Sequence, residues 1–365
     1  MEIQIQKNDL VSSLGLVIGA VNARNTLPIL TNVLVETIGM EGIRLTATDL
    51  EVGLCTTAES KNLKEGSITL PARKFYEIAR ELADEEVLIT VAKNNAVNIK
   101  TGKTYCRIMG LGKEDFPKLP EITLEGAIEL DQHVVKECLT LTSFAISYDE
   151  TRYVLNGILI NVDGSKIRFI ATDGRRLAYV EKELETKAAK TLQFIIPTKT
   201  VSELSKILGD SGKVSIVHTQ NQVVFHMGKT FLVSRLIEGH FPNYEQVIPK
   251  EEKTIGSVNR QALLSAVKRA ALFTSQDAQA VKLDFVKDKI LISSHSPNLG
   301  EVKEEIDAEI SGEDVSIGFN PHYLLDALKN IDIDNVSLSL TKPDKPGLLK
   351  AKNDYLYVVM PMQIS

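Results

Sequence analysis

Ala47-Thr-Asp-Leu-Glu51 and Ala171-Thr-Asp-Gly-Arg175 are two copies of one short sequence, separated by 124 residues. Three further pairs recur in the same order at nearly the same spacing: Leu70–Phe75 with Ile196–Val201, Phe116-Pro117 with Phe241-Pro242, and Asn32 with Asn156. Four ordered pairs at one spacing indicate a repeated unit of about 120 residues. A repeat of this length is a whole domain and exceeds the roughly 20–50 residues of a solenoid unit.

A third copy is visible in the spacing of apolar residues. Each copy has a segment with apolar residues at i, i+4 and i+7, which places them on one face of a helix. These triplets are Leu10, Leu14 and Val17; Val134, Cys138 and Leu141; and Leu263, Val267 and Ala270. Residues suited to capping a helix N-terminus precede them, and we expect Asn8, Asp131 and Asn259 to be the N-caps.

A second helix is predicted in each copy, beginning near Pro71, Pro197 or Pro321, because proline suits a first helical turn. The remaining segments are rich in Ile, Val and Thr and alternate apolar with polar residues, as half-buried strands do. Short turns such as Val162–Ser165 and Lys100–Lys103 separate them. The predicted fold class is α+β, with three repeated domains of antiparallel sheet and two helices each. The predicted domains are residues 1–120, 127–249 and 254–365.

Composition favours a soluble intracellular protein. The 365 residues are 43% hydrophobic and 25% charged, and no apolar run reaches the roughly 18–20 residues that a membrane helix needs. The segment Met1–Lys7 lacks a signal-peptide pattern. Cys55, Cys106 and Cys138 are odd in number and far apart, which is typical of reduced thiols. We therefore expect a cytoplasmic protein with no membrane partner.

The sequence contains no recognisable catalytic or metal-binding motif. Thr101-Gly-Lys-Thr104 lacks the upstream glycine of a phosphate-binding loop and is interpreted as a hairpin turn. The six histidines show no metal-ligand spacing. Asp49 and Asp173 recur at equivalent places, and we expect them to cap turns through their own backbone. The sequence therefore predicts no catalytic residue, no metal and no cofactor.

Several longer strings, taken together, resemble one family. They are Arg24–Leu30, Thr46–Glu51, Leu70–Phe75, Asp115–Pro117, Arg152–Gly157, Ala171–Leu177, Gly239–Tyr244 and Tyr357–Met362. In this order they resemble the beta subunit of bacterial DNA polymerase III, the sliding-clamp family, over essentially the whole chain. The resemblance implies a DNA clamp fold that closes as a head-to-tail dimeric ring, with helices lining the hole. It also implies a processivity factor, a non-catalytic subunit of the DNA polymerase III holoenzyme.

The partners that the resemblance implies include double-stranded DNA, held topologically and without sequence preference. The net charge of −6 argues against tight phosphate binding. However, the predicted helices (8–22, 72–82, 131–146, 198–208, 259–273 and 320–330) carry +3, which leaves −9 for the rest of the chain. A weakly positive lining would let a ring slide; scattered helix cations are the simpler alternative. The resemblance assigns DNA contacts to Arg24, Arg73, Tyr153 and Lys199. This sequence departs from the family at Asp149, where a polar amide is common, and at Val154, where an aromatic is common.

The resemblance further implies a hydrophobic cleft that binds short peptide motifs of the replicative polymerase, the clamp loader and repair proteins. Its residues are Leu155, Thr172, Gly174, Arg175, Arg176, Leu177, Pro242, Val247, Val358, Met360, Pro361 and Met362. Met and Leu can repack around different peptides, although simple packing of the C-terminal strand is the alternative. Arg175, Gln246 and Gln363 replace the common His, Arg and Arg, which predicts a changed peptide preference.

For the homodimer interface the resemblance indicates two surfaces. They comprise Lys74, Lys103, Cys106, Arg107 and Ile108 on one side, and Leu272, Phe273, Glu301 and Glu304 on the other. Lys103 and Arg107 would face the acidic run Glu301–Glu305, since opposite charges favour head-to-tail closure. The alternative is that these charges are simply solvated.

Two functions other than a clamp are compatible with three repeated domains. One is a repeat scaffold that binds only proteins through the same cleft and does not encircle DNA. The other is a nuclease that uses the repeated aspartates Asp49 and Asp173. Retention on circular DNA separates the first from a clamp, and metal-dependent cleavage would reveal the second.

Overall fold

A computed structural model describes residues 1–22, 27–83, 85–120, 123–188, 190–274 and 280–364. The described residues form six α-helices: α1 (Lys7–Val17), α2 (Ala72–Glu81), α3 (Gln132–Thr142), α4 (Thr198–Ile207), α5 (Arg260–Ala270) and α6 (Pro321–Asn330). Helices of the predicted kind therefore recur in pairs along the chain. None of the described helices is long and apolar enough to cross a membrane.

The strands are short, and every pairing between them is antiparallel in the described residues. They are β1 (Glu2–Gln6), β2 (Asn32–Ile38), β3 (Gly42–Thr48), β4 (Val52–Glu59), β5 (Lys61–Lys64), β6 (Ser67–Pro71), β7 (Glu86–Val91), β8 (Ala96–Thr101), β9 (Thr104–Met109), β10 (Ile128–Asp131), β11 (Gly157–Asp163), β12 (Lys166–Thr172), β13 (Arg176–Glu183), β14 (Leu192–Pro197), β15 (Lys213–His218), β16 (Gln222–Met227), β17 (Thr230–Arg235), β18 (Thr254–Asn259), β19 (Val281–Val286), β20 (Lys289–Ser296), β21 (Gly300–Ser311), β22 (Val315–Phe319), β23 (Asn335–Leu340), β24 (Gly347–Ala351) and β25 (Tyr355–Val359).

The chain divides into two compact units. Unit 1 comprises Met1–Lys136 and Ser202–Leu236, and unit 2 comprises Glu137–Val201 and Ile237–Ser365. Because the division follows the continuous sheets, it cuts through the second sequence copy.

Unit 1 contains two sheets. One has the strand order β5-β1-β7-β8-β9, and the other has the order β10-β15-β16-β17-β4-β3-β2-β6. In the second sheet β17 pairs with β4, with Phe231 opposite Cys55. This pairing joins strands of the first and second sequence copies. The edge of the first sheet is β9, which pairs only with β8 in the described residues.

Unit 2 is built on one sheet with the order β14-β11-β12-β13-β25-β24-β23-β18-β21-β20-β19-β22. Here β13 pairs with β25, with Tyr179 opposite Leu356. This pairing joins strands of the second and third copies in the way that β4 and β17 join the first and second. The sheets therefore repeat the sequence pattern at the level of strand pairing.

The hairpin predictions are confirmed. Strands β8 and β9 pair up to Thr101 opposite Thr104, and Gly102 has φ +51°, so the Thr-Gly-Lys-Thr segment is a tight turn. Strands β11 and β12 turn in the same way, with Asp163 opposite Lys166. Glycine adopts positive φ at little steric cost, which explains its place in such turns.

The buried helix faces were predicted correctly in the first and third copies and were shifted at one position in the second. Leu10, Leu14 and Val17 of α1 are buried, and so are Leu263, Val267 and Ala270 of α5. In α3 the prediction is corrected at one position: Val134 is only half-buried, and its neighbour Val135 is fully buried. Fully burying a side chain of this size contributes about 1.5–3 kcal/mol, so these faces anchor the helices.

Three predictions of helix starts need correction. Asn8 is not an N-cap, because α1 begins at Lys7 directly from β1, and Gln6 occupies the cap position. Pro71 and Pro197 end strands β6 and β14 and precede α2 and α4 by one residue. Only Pro321 lies in a first turn, where Asn320 caps α6. Asn259 caps α5 as predicted, accepting from the Ala262 N–H, and Asp131 immediately precedes α3.

Candidate functional site

A tight turn between β12 and β13 forms one wall of the site in unit 2. Asp173 Oδ1 accepts hydrogen bonds from the N–H groups of Arg175 and Arg176, at 2.9 and 3.0 Å. The Thr172 hydroxyl donates to the Arg176 carbonyl and accepts from the Gly174 N–H. Gly174 has φ +85°. The predicted turn-capping role of Asp173 is confirmed, and Asp49 makes the same pair of bonds to Glu51 and Val52 in unit 1.

Arg176 ties this turn to helix α6. Its guanidinium donates to Asp173 at 2.9 Å, to Asp326 at 2.7 Å and to the Phe144 carbonyl at 2.6 Å. It also lies 4.6 Å from the centre of the Tyr323 ring. Its charge is therefore committed within unit 2, and Arg176 fixes the wall of the site.

The floor of the site is a buried apolar cluster. Six of its members lie on strands and three lie in segments between strands: Leu155, Leu159, Ile170, Leu177, Ile195, Phe241, Tyr244, Leu348 and Val358. The rings of Tyr179 and Tyr244 pack at 6.0 Å between centroids beside this cluster. Burial raises the pKa of Tyr179 and keeps its hydroxyl protonated. Leu155, Leu177 and Val358 are thus the base of the site.

The rim carries exposed apolar side chains. Val247 is 46% exposed and Met360 41% exposed, and Pro242 is also exposed. The Met360 N–H donates to the Arg175 carbonyl at 2.9 Å, so the C-terminal segment continues past β25 along the turn. Exposed apolar residues above a buried apolar floor form a surface that is favourable to cover with another apolar group.

The C-terminal segment is anchored a second time by Met362, whose N–H donates to the Gly318 carbonyl at 2.8 Å. Pro361 and Met362 remain half-buried. The three cleft positions at which the sequence predicts a changed peptide preference, Arg175, Gln246 and Gln363, are exposed. Arg175 has no ion-pair partner in the part of the chain that the structure describes, so its charge faces solvent at the rim.

Several residues of the site escaped the sequence reasoning. The floor residues Leu159, Ile170 and Tyr244 looked like ordinary strand and loop residues, and Asp326 and Tyr323 lie about 150 residues from their partner Arg176. The signal that was available for Tyr244 was its place in the repeated Phe-Pro segment.

The residues predicted to touch DNA lie on helices and in one loop. Arg73 is exposed in the first turn of α2, and Lys199 is half-buried in the first turn of α4. Tyr153 is 58% exposed in the 3-10 segment Glu150–Leu155. Asp149 caps that segment by accepting from the Thr151 N–H. The prediction for Arg24 lies outside the described residues.

The charge asymmetry predicted from the sequence is present in the observed helices. The six helices contain eleven Lys and Arg residues against six Asp and Glu residues, a net charge of +5. The whole chain has −6, which leaves −11 for everything outside them. The helices are therefore the basic part of an acidic protein.

The residues predicted for the first interface surface lie on or near the open edge of β9. Cys106 and Ile108 are half-buried there, and Lys103 and Arg107 are exposed. Arg107 donates to the side chain of Asn98 at 2.9 Å. Lys74 is on α2 and pairs with Glu77 at 2.7 Å.

The residues predicted for the second surface lie around the N-terminal half of β21. Among the described residues, residues 300–307 pair with β20 on one side, and pairing with β18 on the other side is limited to residues 308–311. Leu272 is 72% exposed, and Phe273 is half-buried. Glu304 accepts a two-pronged hydrogen bond from Arg269, and Lys303 pairs with Glu301. The carboxylates predicted to meet a partner therefore already have partners in their own chain.

Comparisons with known proteins cover the whole chain. Family models for the DNA polymerase III beta subunit match residues 1–120 (N-terminal domain), 129–243 (central domain) and 245–363 (C-terminal domain). The beta sliding clamp of Pseudomonas putida is 34% identical over all of both chains. The sliding clamp structure from Bacillus subtilis is 34% identical with a TM-score of 0.96, and one from Pseudomonas aeruginosa bound to griselimycin is 33% identical with a TM-score of 0.95; each comparison covers both chains fully. The chain belongs to the DNA polymerase III beta subunit family, the beta sliding clamps.

Proposed function

We propose that this protein is a DNA sliding clamp, a processivity factor that encircles duplex DNA and tethers the replicative polymerase and other replication and repair proteins. The observation that carries the proposal is the match of all three domains of the beta subunit, in order, along the chain. The protein then acts in the cytoplasm as a non-catalytic subunit of the DNA polymerase III holoenzyme. It works by topology and needs no cofactor.

The domain division proposed for the clamp is residues 1–120, 127–249 and 254–365. It is supported by the sequence repeat and by the family-model ranges. Two chains of three domains would close head-to-tail into a ring of six. A closed ring is the simplest symmetric end point for two complementary surfaces on one chain.

The two strand edges support the head-to-tail contact. The edge of β9 and the free side of residues 300–307 both present unpaired backbone groups, which pair readily with another strand. Leu272 would supply apolar contact. The charges of Lys103 and Arg107 are opposite to those of Glu301 and Glu304, but internal partners already neutralise much of the acidic side. We therefore assign most of the affinity to strand pairing and apolar burial.

Light scattering on the full chain at micromolar concentration tests the ring. We expect a mass near twice the 40.3 kDa of one chain. Leu272→Glu places a charge in the contact and should shift the mass toward one chain. Met40→Glu is the matched control, since Met40 is 64% exposed and lies outside the proposed contact. A monomeric wild type, or equal masses for the two variants, contradicts the assignment.

Retention on DNA would come from ring closure, with weak attraction between phosphates and the basic helices. A helix charge of only +5 cannot supply the many phosphate contacts of a tight DNA-binding protein. Arg73, Lys199 and Tyr153 are the described residues that we propose contact DNA, and Arg24 is proposed on the sequence alone.

The cleft in unit 2 would receive the short apolar peptide motifs of the polymerase, the clamp loader and repair proteins. Its buried floor and exposed rim (Val247 and Met360) suit a peptide that buries apolar side chains. The proposed contact residues are Leu155, Thr172, Gly174, Arg175, Arg176, Leu177, Pro242, Val247, Val358, Met360, Pro361 and Met362. Arg176 would act by fixing the turn between β12 and β13, through its bonds to Asp173 and Asp326.

The double variant Val247→Glu, Met360→Glu tests the cleft. It should abolish polymerase capture and processive synthesis, because charges would have to be buried against an apolar floor. Met40→Glu is the control, since Met40 is 64% exposed and lies outside both the cleft and the proposed dimer contact. Undiminished capture by the double variant would contradict the proposed site.

A further inference from the structure

A cavity of about 880 Å³ lies in unit 1. Its lining includes Leu34, Thr46, Cys55, Phe116, Leu119 and Phe231. A volume of this size falls in the range of roughly 300–1,000 Å³ that is typical of ligand sites. The cavity borders the same sheet in which β4 meets β17.

The lining residues are the repeat counterparts of the cleft in unit 2. Strand register gives the match: Leu34 lies opposite Thr46 and Thr46 opposite Cys55, as Leu159 lies opposite Ile170 and Ile170 opposite Tyr179 in unit 2. The Phe-Pro segments extend the match from Phe116 to Phe241 and from Leu119 to Tyr244, and strand pairing matches Phe231 to Leu356. The cavity therefore occupies the position in unit 1 that the cleft floor occupies in unit 2.

At this position two side chains are smaller in unit 1 than in unit 2. In unit 2 the rings of Tyr179 and Tyr244 pack against each other at 6.0 Å. Their counterparts in unit 1 are the smaller Cys55 and Leu119. Removing two phenol rings leaves a space that the surrounding sheet cannot collapse to fill.

A third difference leaves a charge available at the cavity. In unit 2, Arg168 lies opposite Glu181 and donates to it at 2.7 Å. In unit 1 the counterpart Arg44 lies opposite the uncharged Thr57 on β4. On β2 it lies opposite Glu36, whose carboxylate is bound by Lys113. Among the described residues Arg44 has no ion-pair partner, and Lys118, which also lines the cavity, has none either.

The cavity lining contains fewer acidic side chains than basic ones. Lys113 pairs with Glu36 at 3.1 Å, so these two neutralise each other. Glu114 is the remaining acid of the lining, against Arg44 and Lys118. A ligand with an apolar group and a carboxylate would complement both the wall and the charge.

We propose that the unit 1 cavity is a second peptide-binding site, which takes an apolar side chain next to an acidic residue. The carboxylate of the peptide would pair with Arg44, and the apolar side chain would lie among Leu34, Leu119 and Phe231. The proposal rests on the proposed function in one respect, namely that the repeat-related cleft of unit 2 binds peptides. The position of the shifts separates the two sites, because Leu34 and Leu119 line the unit 1 cavity, whereas Leu155 and Leu177 lie in the unit 2 cleft.

The test uses methyl NMR of the full-length protein with labelled leucines and the probe peptide acetyl-Ser-Glu-Leu-Phe-Ser-amide. We expect saturable shifts at Leu34 and Leu119. The same peptide with lysine in place of glutamate should bind there about tenfold more weakly, a difference of about 1.4 kcal/mol.

Two variants restore the unit 2 residues in unit 1. Thr57→Glu should pair with Arg44 and weaken binding of the acidic peptide at the cavity about tenfold, while the neutral control Thr57→Gln should leave it within about twofold. Cys55→Tyr should fill the cavity and abolish the shifts. If either variant fails to fold, the lysine peptide still tests the charge requirement on the unaltered protein.

Shifts confined to Leu155 and Leu177 would overturn the cavity proposal while leaving the cleft and the proposed clamp function intact. Absence of shifts in both places up to millimolar peptide would also overturn it. A failure of the clamp function would appear separately, in the mass and DNA measurements. Equal binding of the acidic and basic peptides at Leu34 would contradict the role of Arg44.

Discussion

The two copies of the Ala-Thr-Asp turn have the same backbone and different uses. In each copy the aspartate accepts hydrogen bonds from the N–H groups two and three residues later, and the threonine hydroxyl bonds across the turn. The residue directly after the aspartate has a positive φ in both copies, +79° at Leu50 and +85° at Gly174. The hydrogen bonds alone therefore suffice to fix the turn, even when a residue unsuited to positive φ occupies it.

The residue that follows the turn separates the two copies. Val52 in unit 1 is 1% exposed and packs as part of a core. Arg176 in unit 2 instead extends to Asp173, Asp326 and Phe144. One duplicated turn thus serves as a core element in unit 1 and as the wall of the proposed cleft in unit 2. The two turns share one backbone conformation, so the proposed function in unit 2 depends on the side chains that differ between the copies.

The largest effect is expected from breaking the Arg176 network. Arg176→Met leaves Asp326 and the Phe144 carbonyl without their donor, and losing charged hydrogen bonds in a partly buried setting costs about 2–4 kcal/mol. Urea unfolding followed by hydrogen exchange in unit 2 measures this loss. Arg175→Met is the control, because Arg175 is exposed and should change stability by less than about 0.5 kcal/mol. Equal effects of the two variants would show that the network does not support the wall.

An acid dependence is expected in unit 2 from the ion pairs of Glu137. Burial alone would raise the pKa of Glu137, but hydrogen bonds from Lys182 and Lys352 outweigh it and hold the pKa below its ordinary value of 4.5. A depressed carboxyl pKa stabilises the folded state above the unfolded pKa, and this stability is lost as the pH falls through the folded pKa. The unfolding free energy should therefore decline below about pH 4.5.

Lys182→Met should flatten that acid-side decline while lowering stability at pH 7, because Lys182 pairs with both Glu137 and Asp354. Urea midpoints measured from pH 3 to pH 7 give the comparison. Lys229→Met is the matched control in unit 1, since its pair with Glu59 is at the surface. An unchanged pH profile in Lys182→Met would remove Glu137 from the explanation.

The smallest effects on stability are expected from substitutions of the residue directly after the aspartate of each turn, Leu50 or Gly174. Leu50→Gly should stabilise unit 1 by about 0.5–1 kcal/mol, since it relieves a positive φ that costs non-glycine residues about 1–2 kcal/mol. Gly174→Leu should destabilise unit 2 by about 1–2 kcal/mol, and an added Cβ would also press on Arg152 at 2.8 Å. Thermal unfolding of both variants decides the point. A destabilising Leu50→Gly would mean that the exposed leucine side chain contributes more than the strain it imposes.

Local features were predicted from sequence because their causes are local. The hairpin at Thr101–Thr104 and the capping role of Asp173 depend on residues within a few positions. The N-cap prediction at Asn8 was wrong, because β1 continues directly into α1 and its last residue, Gln6, occupies the cap position. The start at Pro71 was misplaced by one position, since its strand pairing with Asn32 holds it in the sheet.

Features that depend on distant residues could not be predicted. The pairing of Arg176 with Asp326 joins positions 150 apart in the chain, and no local pattern announces it. The unit 1 cavity depends on the joint absence of two rings at Cys55 and Leu119, which are also far apart. The family resemblance identified the cleft region, but only the folded structure separates its buried floor from its exposed rim.

The measurement that tests the clamp function most directly is retention on DNA after loading by the cognate clamp loader. Gel filtration should show the protein co-eluting with nicked circular plasmid in high salt, because topology holds a closed ring without phosphate affinity. Cutting the plasmid once with a restriction enzyme should release it. Protein that stays bound after linearisation, or that never remains on the circle, would contradict encirclement and favour a scaffold that binds only proteins.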